Sequence, residues 1–164
     1  MSPEIPGALL EGRADVGVVD VVTPSQGLAF FPFFHDRLAL VVPAGHALAG
    51  APDARLTQLL QENFIVIAGA NAVSNRLFNA ATALGETLKV RMQMRSFDAA
   101  TRMVAAGLGV AVLPADAIAP QLGQLGLHAV SLAEEWAQRT HYLALRTGTE
   151  APAAARTLVD ALKA

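Results

Sequence analysis

The chain alternates short continuous apolar runs with stretches whose apolar positions recur three and four residues apart. The first pattern belongs to strands buried on both faces, the second to helices lying on a sheet. Pro3 to Leu10 predicts a short helix with Ser2 at its cap, Pro3 at its first position and Gly12 past its end, although Pro6 and Gly7 are poor beyond a first turn. Ala14 to Val19 reads as a buried strand and Asp20 to Gly27 as a loop. Leu28 to Phe34, interrupted by Pro32, suits an edge or a bent connection. Leu38 to Val42 is a separate apolar run closed by Pro43-Ala44-Gly45. Leu56 to Leu60 predicts a helical piece feeding a strand from Phe64 to Ala68, and the turn Ala68-Gly69-Ala70-Asn71 leads into a helix from Asn75 to Leu84, stopped by Gly85. Lys89 to Arg95 alternates basic or polar residues with Val90, Met92 and Met94, the period of a half-exposed strand.

Ser96 to Pro114 is the most informative stretch. Ser96 reads as a helix cap; Phe97, Thr101, Val104 and Leu108 then recur at helical spacing. Gly107-Leu108-Gly109 stops the helix, and Val110 to Leu113 reads as a buried strand ended by Pro114. Beyond it, Ala115 to Leu122 predicts a short helix broken by Pro120, followed by a Gly-rich turn. Leu127 to Leu132 and Tyr142 to Arg146 predict strands separated by Glu134, Glu135 and Trp136. Pro152 to Ala164 is an Ala-rich helix with Leu158, Val159 and Leu162 as its inner stripe. Strands alternating with helices point to an α/β fold with a mainly parallel sheet and helices on its faces.

Composition narrows the function classes. Apolar residues make up 53% of the 164, enough for a sizeable core. Twelve basic residues against 14 acidic ones, with no run of like charge, leave no electrostatic footprint for nucleic acid, so this segment is not expected to grip DNA by itself. The absence of cysteine excludes disulfides, Cys-based zinc sites and cysteine nucleophiles. No secretory signal is legible at the start, and the apolar runs fall short of the roughly 20 residues a membrane span needs. The expectation is a cytoplasmic domain.

Catalytic and cofactor chemistry is sought without success. Gly107-Leu108-Gly109 resembles the start of a dinucleotide fingerprint, but Val112 stands where the third glycine belongs, and the glycines follow a helix instead of opening one. His35, His46, His128 and His141 have no metal-ligand spacing, and the adjacent Glu134 and Glu135 diverge on regular structure. No enzyme activity, cofactor or metal is expected. What remains are polar groups at helix entrances, where free backbone N–H groups and a partial positive charge favour ligands. Ser2, Ser74 and Ser96 read as standing at such entrances, Asn71 and Arg76 flank the second, and Arg76 suits a carboxylate. Taken singly, each serine reads first as a plain cap, worth roughly 1 kcal/mol; it is the three together at sheet-to-helix switches that favour a ligand.

Three segments occur in a telling order: Leu9-Leu10-Glu11-Gly12-Arg13-Ala14-Asp15-Val16-Gly17, then Asp36 through His46, then Met103 through Pro114. Together with Trp136, Arg139 and the Ala-rich ending, they resemble the effector-binding (substrate-binding) domain of LysR-type transcriptional regulators. The resemblance implies a type 2 periplasmic-binding-protein-like fold, with two Rossmann-like lobes joined by crossover strands. Residues 1–42 and 131–164 would form the first lobe and 43–130 the second. It implies small-molecule effector sensing, with candidate ligand contacts at Ser2, Asn71, Ser74, Arg76, Ser96 and Phe97. The effector itself is not identified by the sequence; Arg76 and the helix starts favour a small carboxylate or another anion.

The family's winged helix-turn-helix, linker helix and first strand–helix–strand have no counterpart here, so the first lobe is expected to be incomplete, with an apolar sheet edge near Val16 to Val19. Self-association into a homodimer would cover that edge. A solute-binding protein of the same fold, an enzyme on the same architecture and a truncated fragment that binds nothing are the alternatives.

Overall fold

Leu28 to Pro43 forms one strand of 16 residues, where two separate pieces were expected. Pro32 is tolerated because it is exposed, at a position where a missing N–H costs little. The computed structural model describes residues 4–69, 72–148 and 152–163. Its chain folds into two compact units, one made of residues 1–35 and 140–164 and the other of residues 36–139. The chain passes between them in this long strand and in the strand Gln138–Arg146. The inserted segment 36–139 is longer at both ends than the 43–130 read from the sequence.

In the first unit, helix α1 (Glu4–Leu10) precedes strand β1 (Gly17–Val19), shorter than Ala14–Val19 because the Gly12 turn extends into it. β1 pairs antiparallel with β8 (Gln138–Arg146), Gly17 opposite Ala144 and Val19 opposite Tyr142. Leu9, Leu28 and Ala144 form a small core with Ile5, Ala14 and Phe30 against it. β1 ends its sheet, and Val18 is 48% exposed. Helix α6 (Ala153–Lys163) closes the described chain. Its buried positions are Ala155 and Val159, one turn apart; of the inner stripe read from sequence Val159 is buried, whereas Leu158 and Leu162 are exposed.

The second unit is a three-layer sandwich. The second half of β2 (Leu28–Pro43) runs antiparallel to both β6 (Ala111–Pro114) and β7 (Leu127–Leu132), and β3 (Asp53–Ala54) joins β7 in parallel. β4 (Asn63–Ile67) and β5 (Lys89–Met94) form a parallel pair, and a parallel bridge from Phe64 to Val110 links β4 to the start of β6. The sheet is therefore mixed, not mainly parallel, because β2 enters it directly from the other unit without a helical crossover. Alternation along β2 sends Leu38, Leu40 and Val42 to one core, with Phe64, Val66, helix α2 (Leu56–Leu59) and helix α3 (Ala72–Ala83). Val41 faces the other core with Ile65, Ile67, Leu113, helix α4 (Phe97–Ala105) and helix α5 (Ala115–Leu125).

Two helix ends set the local geometry. α4 closes in a full Schellman turn: Gly107 at φ 72° donates to the Val104 carbonyl, and Leu108 donates to Met103. α5 continues through Pro120 to a left-handed Gly126, contrary to the expected break. Pro120 is exposed, so the carbonyl it leaves without a helical donor remains open to water, while Ile118 anchors the helix in the core.

Candidate functional site

β4 and β5 end side by side in the second unit, with the Ala68 amide donating to the Met94 carbonyl at 2.8 Å. Each then turns into a helix, so the entrances of α3 and α4 lie next to each other at the carboxyl ends of parallel strands. That is the position where open α/β sheets hold ligands. Gly69 at φ 84° makes the first of these turns.

Ser96 caps α4 as the sequence predicts. Its backbone is extended (φ −144°, ψ 156°) and its Oγ accepts from the Ala99 amide at 3.2 Å. The hydroxyl is exposed, and its proton meets no acceptor among the described residues. Phe97, the next residue, is half-buried and packs against both cores of the unit. Asp98 and Arg102 pair across one turn at 3.0 Å on the exposed side of α4; that hydrogen bond, then the Asp98 charge, raises the Arg102 pKa. Thr101 is buried, its hydroxyl donating to the Asp98 carbonyl and lying 2.7 Å from Gln121 Oε1 on α5.

Ser74 differs from its expected role as a cap. α3 begins at Ala72, which puts Ser74 inside the first turn and 4% exposed. Its Oγ accepts from the Ile67 amide at 3.1 Å and donates to the Ile67 carbonyl at 2.9 Å. The hydroxyl thus fastens the helix entrance to the end of β4. Arg76, one turn along the chain from that entrance, is half-buried and directs Nη1 to the Trp136 carbonyl at 3.4 Å. Ser2 and Asn71 lie outside the described residues. Ser74 thus stands at the β4-to-α3 turn and Ser96 and Phe97 at the neighbouring β5-to-α4 turn, with Arg76 turned toward the 3-10 turn Glu135–Ala137.

A polar feature absent from the sequence reading is the buried ion pair Asp36–Arg139. Both side chains are 6% exposed; Arg139 Nε donates to Asp36 Oδ1 at 2.6 Å, and Nη2 engages Oδ2. Asp36 stands two residues before Leu38, on the same face as Leu38, Leu40 and Val42, where a charge has to be paired. That placement was the available signal. Among the described residues no cluster of three His, Cys, Asp or Glu can hold a metal, and no helix is long and apolar enough to cross a membrane.

An α/β chain in two units, with a polar corner at the carboxyl ends of parallel strands, has the form of a ligand-binding domain. The family model of the LysR substrate binding domain matches residues 1–164, and the chain belongs to that family. A probable RuBisCO transcriptional regulator of Synechocystis sp. is 27% identical over 124 residues, which are 71% of this chain and 36% of that protein. The chain spans about a third to half the length of the curated relatives it matches. Among solved structures, the regulatory domain of Synechocystis CcmR in complex with 2-PG superposes at a TM-score of 0.84 with 22% identity, covering 98% of this chain and 77% of that one. The BenM effector-binding domain with its effector benzoate superposes at 0.80 with 23% identity, covering 99% and 73%. The fold is accordingly the type 2 periplasmic-binding-protein-like fold of LysR regulatory domains.

Proposed function

We propose that this chain is the sensing part of a cytoplasmic LysR-type transcriptional regulator, and that its effector binds at the corner where β4 and β5 turn into α3 and α4. The observation that carries this reading is Ser96, whose hydroxyl proton points to no described acceptor at a helix start where backbone amides favour negative charge. Ser96 donates to the effector, Phe97 supplies an apolar edge, Ser74 holds the turn in place, and Asn71 and Arg76 complete the contacts. A small carboxylate suits this set, as benzoate suits the BenM domain. Effector binding favours one arrangement of the domain over another, and a DNA-binding segment elsewhere in the regulator reads that change. The domain acts as a homodimer, carries out no reaction, and does not bind DNA alone.

The test is a thermal-shift titration with aromatic and aliphatic carboxylates on the wild type and on Ser96→Ala. A true effector at one hundred times its dissociation constant adds about 2.7 kcal/mol of stability. Ser96→Ala should lose most of that ligand-dependent gain, beyond the roughly 1 kcal/mol lost from the cap alone. A full response in Ser96→Ala, or no response to any carboxylate in the wild type, overturns the assignment.

A further inference from the structure

The same unit carries a second recess at the opposite ends of its strands. Its volume is about 160 Å³, and it is walled by His46 beyond β2, by Glu62 and Asn63 at the start of β4, by Arg91 of β5 and by the turn from Gly107 to Val110. Three features make it more than a surface dimple.

The first is how Arg91 comes to face it. Phe64 pairs with Val90 but Ile65 pairs with Met92, so the register slips by one residue and Arg91 is the extra, unpaired one. Such a bulge re-aims a side chain and recurs beside binding sites. It also switches the faces of the strand: Val90 shares the face of Phe64, whereas Met92 and Met94 share that of Ile65 and Ile67 and pack into their core. Arg91 has no hydrogen bond or ion pair to any described residue.

The second is an opposite charge held in the same recess. His46 Nδ1 accepts from the Leu48 amide at 3.1 Å, which puts the proton of the neutral ring on Nε2, 3.3 Å from Glu62 Oε1. The imidazole orients the Glu62 carboxylate and leaves Oε2 available. The carboxyl end of α4, finished by the Schellman turn at Gly107, adds partial negative charge on this side. Arg91 and Glu62 line one recess without pairing with each other.

The third is the tight floor. A Cβ at Gly109 would collide with the Asn63 carbonyl oxygen, which accepts from the Val110 amide at 2.9 Å. At Gly107 an added Cβ would meet nothing within 4 Å. Pro43, Leu108 and Val110 supply apolar lining between the charges.

We propose that this recess binds a small α-amino acid, its carboxylate on Arg91 and its ammonium on Glu62 Oε2. A simple anion would meet the Glu62 charge and a simple amine the Arg91 charge, so a ligand carrying both is selected against either alone. The recess has room for both charged groups and a short side chain. Glycine, L-alanine, L-serine and L-valine should each produce a saturable calorimetric response and shift the Gly107 and Gly109 amide resonances. Propionate and ethylamine should do neither. Arg91→Gln and Glu62→Gln, with circular dichroism checking the fold, should each weaken L-alanine binding at least tenfold, and Ser96→Ala should leave it unchanged. Equal binding of propionate, or unaltered affinity in Arg91→Gln, overturns the proposal. Loss of the amino-acid response in Ser96→Ala places the ligand at the helix-start corner and overturns this site while leaving that one standing.

Discussion

Replacing Asp36 by alanine would leave the Arg139 guanidinium buried without its counter-charge. Both side chains are 6% exposed, and the pair is bidentate, so little water reaches either end to compensate. Removing one partner of such a pair costs about 3 to 5 kcal/mol, because the remaining charge keeps its desolvation penalty and loses its attraction. For a chain of this size that corresponds to a melting temperature lower by roughly 6–20 °C. The double variant Asp36→Leu/Arg139→Met removes both charges and keeps apolar volume, so it should recover most of the loss. Urea unfolding of the wild type, Asp36→Leu, Arg139→Met and the double variant measures the coupling directly. A loss below about 1 kcal/mol in Asp36→Ala, or a double variant as unstable as the sum of the singles, would refute the claim that burial of the charge governs the cost.

Ser74→Ala leaves the buried Ile67 amide without its side-chain acceptor and should cost about 1–3 kcal/mol in the same assay, with Ser74→Thr disfavoured by crowding at 4% exposure. Gly109→Ala drives a methyl group into the Asn63 carbonyl; it should destabilise the unit by more than about 1 kcal/mol, whereas Gly107→Asn, with open space around it and a residue that tolerates left-handed backbone, should cost less. Thr101→Val removes the hydroxyl beside Gln121 and should cost about 1 kcal/mol, with Thr101→Ser nearer the wild type. Hydrogen exchange at the α4–α5 contact provides an independent reading of that change.

Ser96 to Pro114 was legible because every local signal agreed: cap, helical period, Schellman glycine and apolar strand all point to one unit, and α4 and β6 form there. Ser74 was misread as a cap because α3 starts at Ala72, before it, while Asn71, a residue type as suited to capping as serine, was assigned to the preceding turn. The alternation from Lys89 to Arg95 is a correct strand reading that hides a register slip, since a bulge depends on the neighbouring strand and leaves no trace in periodicity. Leu28 to Pro43 looked like two pieces because Pro32 and the polar His35-Asp36-Arg37 divide its apolar runs. Those polar residues lie where the strand passes from one unit to the other. Leu158 and Leu162 failed as an inner stripe because three and four residue spacings leave two adjacent faces open, and packing chose Ala155 and Val159. The apolar exposure expected near the edge strand is present at Val18.

The insertion of one unit into the sequence of the other has a consequence for the order of events during folding. The halves of the outer unit are separated along the chain by the whole inner segment 36–139, and its β1–β8 pairing is a contact of very long range. Closing that loop is entropically costly while the insert is unfolded, and far cheaper once the insert has collapsed and brought Asp36 to Arg139. The inner unit should therefore acquire its amide protection first, with β2 beyond Asp36 protected before β1. In that sequence the buried ion pair serves as the clasp that brings together the two ends from which the outer sheet can grow.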